Sequence, residues 1–183
     1  MLMFVLDEKV VYPGHGVAKI SRIFEKVISG VVTQFFELKF LNKDMTILVP
    51  IDNLEMVGVR HLSSPDCIND IFKTLAEPHH IVHSESAPSN WNKRNKEYQG
   101  KLRTGNLYDI CKIYKDLRHI SVYKELSFGE KALLQQTEIL LAQEISLVKK
   151  MGEDKAIEQL RLVSQPIYYD GGVQVASSSS QLR

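Results

Sequence analysis

A chain of 183 residues with 44% hydrophobic and 25% charged residues suits one globular domain or two small ones. No stretch approaches the run of about 18 apolar residues that a membrane helix needs, and the start, MLMFVLDEKVVY, has neither the basic region nor the cleavage site of a signal peptide. A formal net charge of +1 conceals an asymmetry: residues 91–131 hold ten basic and five acidic side chains, while residues 1–60 are neutral and residues 61–90 carry net −3, so positive charge gathers in one window and points to a localised anionic partner.

Residues 3–60 read as β-structure. Lys9-Val10-Val11-Tyr12 is a short strand stopped by Pro13, and Gly14-His15-Gly16 is a turn, because glycine reaches backbone angles closed to other residues. Residues 17–23 form a second strand, Ser29-Gly30 a turn pair, residues 34–40 a third strand and residues 45–50 a fourth, with Pro50 ending it or lying at an edge. Short strands at this spacing, without helices, predict a small twisted barrel.

From Ser63 the apolar period changes to that of helices. Ser64-Pro65-Asp66 starts the first, with Ser as N-cap and Asp near the positive helix end; Ile68, Ile71, Phe72 and Leu75 form its stripe. Residues 77–90, with two prolines and three histidines, read as a loop. Ser89 or Asn90 caps a basic helix that Gly100 weakens at its end, and Thr104-Gly105-Asn106 separates it from the next, whose stripe is Leu107, Ile110, Cys111, Tyr114 and Leu117. Ser127-Phe128-Gly129-Glu130 fits a capping box before a long helix marked by Leu133, Leu134, Leu140, Leu141, Ile145 and Val148. Gly152-Glu153-Asp154 interrupts it, and Ile157, Leu160 and Leu162 mark a last short helix. The expected organisation is a β domain over 1–60, a helical domain over 61–165 and a disordered tail over 166–183. Cys67 and Cys111 read as isolated, buried, reduced thiols of a cytosolic protein.

Residues 90–103, NWNKRNKEYQGKLR, hold the only tryptophan, Trp91, followed by Lys93, Arg94, Lys96, Lys101 and Arg103 against the single acid Glu97. A large flat apolar side chain beside fixed positive charge suits a nucleic-acid backbone with an exposed base step. The same residues also read as a core anchor and a solvated helix face. Tyr98, Tyr108 and Tyr114 either stack on bases or, at their helical spacing, form half-buried core. Lys131 lies near a helix N-terminus, where an anion is favoured, or is a solvated lysine. His79-His80-x-x-His83 looks like a metal cluster but lacks cysteine partners and a carboxylate at helical spacing, so no metal is expected. His15 is either catalytic or a turn residue packed on Tyr12. With no phosphate loop, nucleophile elbow, H-E-x-x-H or paired-cysteine motif, no catalytic residue, cofactor or small-molecule substrate is expected.

Residues 10–17, VVYPGHGV, then Val49-Pro50 and Val57-Gly58-Val59-Arg60, resemble the CarD/CdnL family of bacterial RNA polymerase-binding transcription regulators. The second half agrees through Trp91-x-x-Arg94, Leu102-x-x-Gly105, Asp116-Leu117 and Leu126-Ser127-x-Gly129-Glu130-Lys131. The resemblance covers roughly residues 3–165 and departs at Leu6, where the pattern has glycine. A similar N-terminal module occurs in transcription-repair coupling factors, which continue into a helicase that is not expected here.

The resemblance implies an α+β fold: an N-terminal Tudor-like small β-barrel followed by a C-terminal all-helical DNA-binding domain. It implies that the barrel binds the RNA polymerase β subunit and that the helical domain contacts promoter DNA at the upstream edge of the transcription bubble, where a tryptophan enters the minor groove and stabilises the open complex. Carried over by position, the wedge is Trp91, and backbone contacts fall on Arg94, Lys96 and Lys131, with Lys93 beside them on the basic helix. One polymerase contact matches Lys26. The other, arginine in some members, is Leu48 here, so strand pairing or apolar contact through Thr46, Ile47 and Leu48 stands where a charge is usual. The implied location is the cytoplasm, at the nucleoid through polymerase, with no membrane partner. The rival expectations are a protein-only polymerase adaptor whose basic helix binds another protein, and an enzyme using His15 or the loop 79–83.

Overall fold

The computed structural model describes residues 4–78 and 91–165, with the backbone of 169–170 and 173–174. Five strands, β1 (Lys9–Tyr12), β2 (Gly16–Ile28), β3 (Val31–Phe40), β4 (Thr46–Pro50) and β5 (Arg60–His61), pair antiparallel in the order β4-β3-β2-β1-β5. The β2–β3 hairpin is longer than the sequence predicts. Pairing continues out to Ile28 and Val31, because Ser29 and Gly30 take φ of 52° and 82°, the left-handed pair whose twist matches the strands on either side. A register shift between Ile20 and Arg22 bends β2, and the curved sheet closes its inner face over Val10, Ile20, Phe36, Leu38 and Val49. A one-turn helix, α1 (Leu54–Val57), plugs that core with Leu54 and stops at Gly58, whose φ of 82° lets its amide bond back to Leu54 and Glu55.

The bundle comprises α2 (Pro65–Ala76), α3 (Trp91–Thr104), α4 (Leu107–Tyr123), α5 (Phe128–Val148) and α6 (Glu153–Val163). Its caps follow the local sequence. The Ser64 hydroxyl accepts from the Cys67 amide at 3.2 Å, Asn106 accepts from the Tyr108 and Asp109 amides, and Ser127 and Glu130 form the reciprocal capping box. The cap expected at Ser89 or Asn90 lies outside the described residues. Gly100 does not end α3, which runs on to Thr104 because Tyr98 and Leu102 bury on either side of it. Of the two thiols, Cys111 is fully buried, and burial pushes it up to about 12, so it is inert. Cys67 is only half-buried, at the exposed start of α2, which corrects the expectation of two buried thiols.

The long helix α5 is the spine of the molecule. The other helices pack on it and so does β2, so that even Glu130, Thr137, Glu138, Gln143 and Glu144 are buried. Within 166–183, Tyr169–Asp170 and Val173–Gln174 pair as a short antiparallel ribbon; the rest of that stretch lies outside the described residues. Among the described residues no helix is long and apolar enough to cross a membrane.

Candidate nucleic-acid interface

Buried charge on α5 organises the site. Each of its buried carboxylates holds an arginine from a different element, as buried charges require a partner. Glu144 receives both Arg60 Nη atoms, at 2.7 and 2.9 Å, and the Ser63 amide at 2.7 Å. Glu138 receives Arg161 of α6 at 2.6 and 2.9 Å and the Tyr114 hydroxyl at 3.1 Å. Glu130 receives Arg94 of α3 at 2.6 Å, Lys124 at 3.0 Å and the Ser127 amide at 2.9 Å. Burial alone would raise the pKa of Glu130, but its bonds to Ser127 and Lys124 outweigh that and hold the carboxyl below the ordinary range.

The same helix joins the sheet to the bundle. The Val17 amide donates to Gln143 Oε1 at 3.1 Å, and Gly16 lies so close that a Cβ there would fall 2.1 Å from that oxygen. Pro13 packs against Gly105 and Gly58, and the Arg60 Nε and Nη2 donate to the Gly105 carbonyl at 3.0 and 2.9 Å. The Pro13-Gly14-His15-Gly16 turn and Gly58, Arg60 and Gly105 therefore meet at one seam. His15 takes the turn-and-packing role: its amide donates to the Tyr12 carbonyl at 3.1 Å and its ring meets Tyr12 edge-on at 5.4 Å.

Trp91 opens α3 half-buried against the bundle core. Its indole lies over the first turn of α5, where a Cβ on Gly129 would come within 3.0 Å of Cζ2. The Arg94 guanidinium sits 5.8 Å from the ring centroid and braces it. The basic helix thus divides its charges. Arg94 turns inward to Glu130, Lys101 pairs along the helix with Glu97 at 2.8 Å, and Lys93 and Lys96 face solvent. Lys131 is exposed and pairs with the still more exposed Glu125 at 2.8 Å. Tyr98 and Tyr114 are core residues, and burial pushes both phenols up to about 12, so neither presents a face to a base. Tyr108 is partly exposed on α4. Sequence reasoning took Phe128 only as a member of the capping box, whereas it stands 89% exposed beside Gly129. Local sequence carries no signal for this, because a first-turn helix residue can face the core or solvent equally well.

On the sheet, strand alternation puts Arg22, Phe24 and Lys26 on one outward face. Register adds Glu37, which bonds Arg22 at 2.7 Å, and Leu48 opposite Glu37. Phe24 stacks on Phe35 with centroids 5.8 Å apart, between the rows of Lys26 and Leu48. Leu48 is 47% exposed and Thr46 shares its face, while Ile47 turns inward to the sheet core and offers the outside only backbone. β4 pairs only with β3, so its other edge is open among the described residues.

Among the described residues no group of three or more His, Cys, Asp or Glu is placed to hold a metal ion; His79, His80 and His83 lie outside them. The family model described as CarD, C-terminal domain matches residues 70–161, and that described as CarD-like/TRCF RID domain matches residues 4–63. A Bacillus subtilis (strain 168) protein named "Putative transcription factor YdeB" is 26% identical over 154 residues, covering 82% of this chain and 95% of that one. The solution NMR structure of the 72-residue N-terminal domain of Myxococcus xanthus CarD is 28% identical and covers 33% of this chain and 81% of its own, with a TM-score of 0.29, too low to bear on the fold.

Proposed function

The chain belongs to the CarD family of transcription regulators, and on that premise we propose that it binds the RNA polymerase β subunit through the outer face and open edge of its sheet and stabilises the promoter open complex by inserting Trp91 at the upstream bubble edge. It works without catalysis, in the cytoplasm, at the nucleoid through polymerase. The observation that carries this reading is the seam: Arg60, Glu144 and Gln143 fasten the sheet to α5, and the other end of α5 supports Trp91. A tether on polymerase then delivers the indole to a fixed place.

The magnitudes support that division of labour. Contacts from Lys93, Lys96 and Lys131 to phosphates would give a salt slope of only about −3 and no sequence readout. Tethering supplies the missing affinity by raising local concentration. Stacking of Trp91 on an already disrupted base step is worth about 1–3 kcal/mol, which lengthens open-complex lifetime roughly fivefold to a hundredfold. Arg94 serves this reading as the brace of the indole as much as a phosphate ligand, since Glu130 already holds it.

The test is open-complex lifetime with the cognate polymerase on a fluorescent promoter fragment, comparing wild type with Trp91→Ala. The expected result is a longer lifetime with wild type that the variant largely loses. No effect from either protein, while the chain still captures the β subunit, would replace this reading with that of a protein-only adaptor.

A further inference from the structure

Resting on the DNA-facing reading above, we propose that Phe128 is a second aromatic DNA contact, which stacks on an unpaired base at the bubble edge beside Trp91. A single exposed apolar residue needs no explanation by itself. Phe128 differs in its surroundings. It is the first residue of α5, held outward at 89% exposure by a capping box that fixes the backbone on both sides of it. The next residue, Gly129, has no side chain, and the Trp91 indole fills that space, within 3.0 Å of where a Cβ would stand. Two helices thus bring their aromatic residues to one end of the bundle, a single glycine apart.

Charge selects nucleic acid as the occupant. Lys124 and Lys131 flank Phe128 in the chain and are exposed. Of the two acids between them, Glu130 is buried and answered by Arg94 and Lys124. Glu125 holds Lys131 only in a solvent-exposed ion pair, the kind that opens at little cost to meet a phosphate. Projecting aromatic rings among lysines are the arrangement that stacks unpaired bases while neutralising the backbone. The rings also differ in reach. Trp91 is half-buried against the bundle core, whereas Phe128 projects freely, so Phe128 engages the base that Trp91 displaces.

The experiment uses the full chain with polymerase and a promoter fragment, measuring open-complex lifetime for no added protein, wild type, Trp91→Ala and Phe128→Ala. In parallel, Phe128→p-benzoylphenylalanine is irradiated in the open complex. Phe128→Ala is expected to melt at the wild-type temperature, since the ring is exposed, and to shorten the lifetime by about fivefold to a hundredfold, the span of one base stack. The photoprobe is expected to label promoter DNA at the upstream bubble edge. A wild-type lifetime for Phe128→Ala, where Trp91→Ala loses it, overturns this proposal alone. Labelling of a polymerase subunit with no labelling of DNA overturns it in favour of a protein contact. A wild-type protein that does not lengthen the lifetime overturns it together with the function on which it rests.

Discussion

Arg60 and Glu144 meet in a bidentate pair, at 2.7 and 2.9 Å, that fastens the last strand of the sheet to the central helix of the bundle. Glu144 is 2% exposed and Arg60 is 26% exposed, and the arginine also reaches the Gly105 carbonyl, so three elements depend on one guanidinium. Arg60→Ala leaves the buried Glu144 carboxylate with the Ser63 amide but no counter-charge and is expected to cost about 3 kcal/mol. Calorimetry should then resolve the sheet and the bundle as separate transitions where wild type melts as one. A variant that still melts in a single step at the wild-type temperature would show that Gln143 and Pro13 hold the seam without it.

Gly129 is expected to control the tryptophan. Gly129 has no left-handed backbone angle that would strain an alanine, so Gly129→Ala should fold as well as wild type. Its new methyl group would stand 3.0 Å from Trp91 Cζ2, and the indole must move outward. Trp91 is the only tryptophan, so a red shift of its emission, with melting unchanged, reads this directly. An unshifted spectrum would mean that α3 moves as a whole instead.

Acid should loosen the bundle through Glu138. Burial would raise its pKa, yet Arg161 and the Tyr114 hydroxyl outweigh burial and hold it below the ordinary carboxylate value of 4.5. A depressed carboxylate contributes stability above its unfolded pKa and loses that contribution as pH falls through the folded one. Melting temperature should therefore fall with acidification from about 4.5 downward. Glu138→Gln should flatten that dependence while costing about 2 kcal/mol at neutral pH. An equally steep acid profile in the variant would shift the effect to Glu130, whose pKa is also lowered.

Leu48 should matter for polymerase and little for folding. It lies outward in the row of Arg22 and Glu37, beside the stacked Phe24 and Phe35, so an apolar contact there has neighbours to extend it. Leu48→Ala is expected to change stability by less than about 0.5 kcal/mol, as exposed positions do. Losing part of a leucine's burial should weaken capture of the β subunit roughly tenfold in a pull-down titration. Unchanged capture would leave backbone pairing along the β4 edge as the main contact.

Local order was legible in the residues themselves. Ser64-Pro65 and Ser127-x-x-Glu130 start helices where they say they do, because a capping side chain bonds to amides within three residues of itself. Ser29-Gly30 marks its hairpin because both residues take left-handed backbone angles, and the stripes of α2 and α4 name their buried faces. What the residues could not show is where polar groups go. Glu130 offers itself in the sequence only as a capping-box partner, and Glu138 and Glu144 carry no local signal, yet all three are the buried anchors of Arg94, Arg161 and Arg60, each far away in the chain. Arg94, expected on a phosphate, turns inward to Glu130, and Phe128, of whose direction the capping box says nothing, stands outward. Hydrophobic period and caps act over a few residues and can be read from a string. The pairing of buried charge is decided only when helices and sheet close around α5 and remove water from some charges and not others.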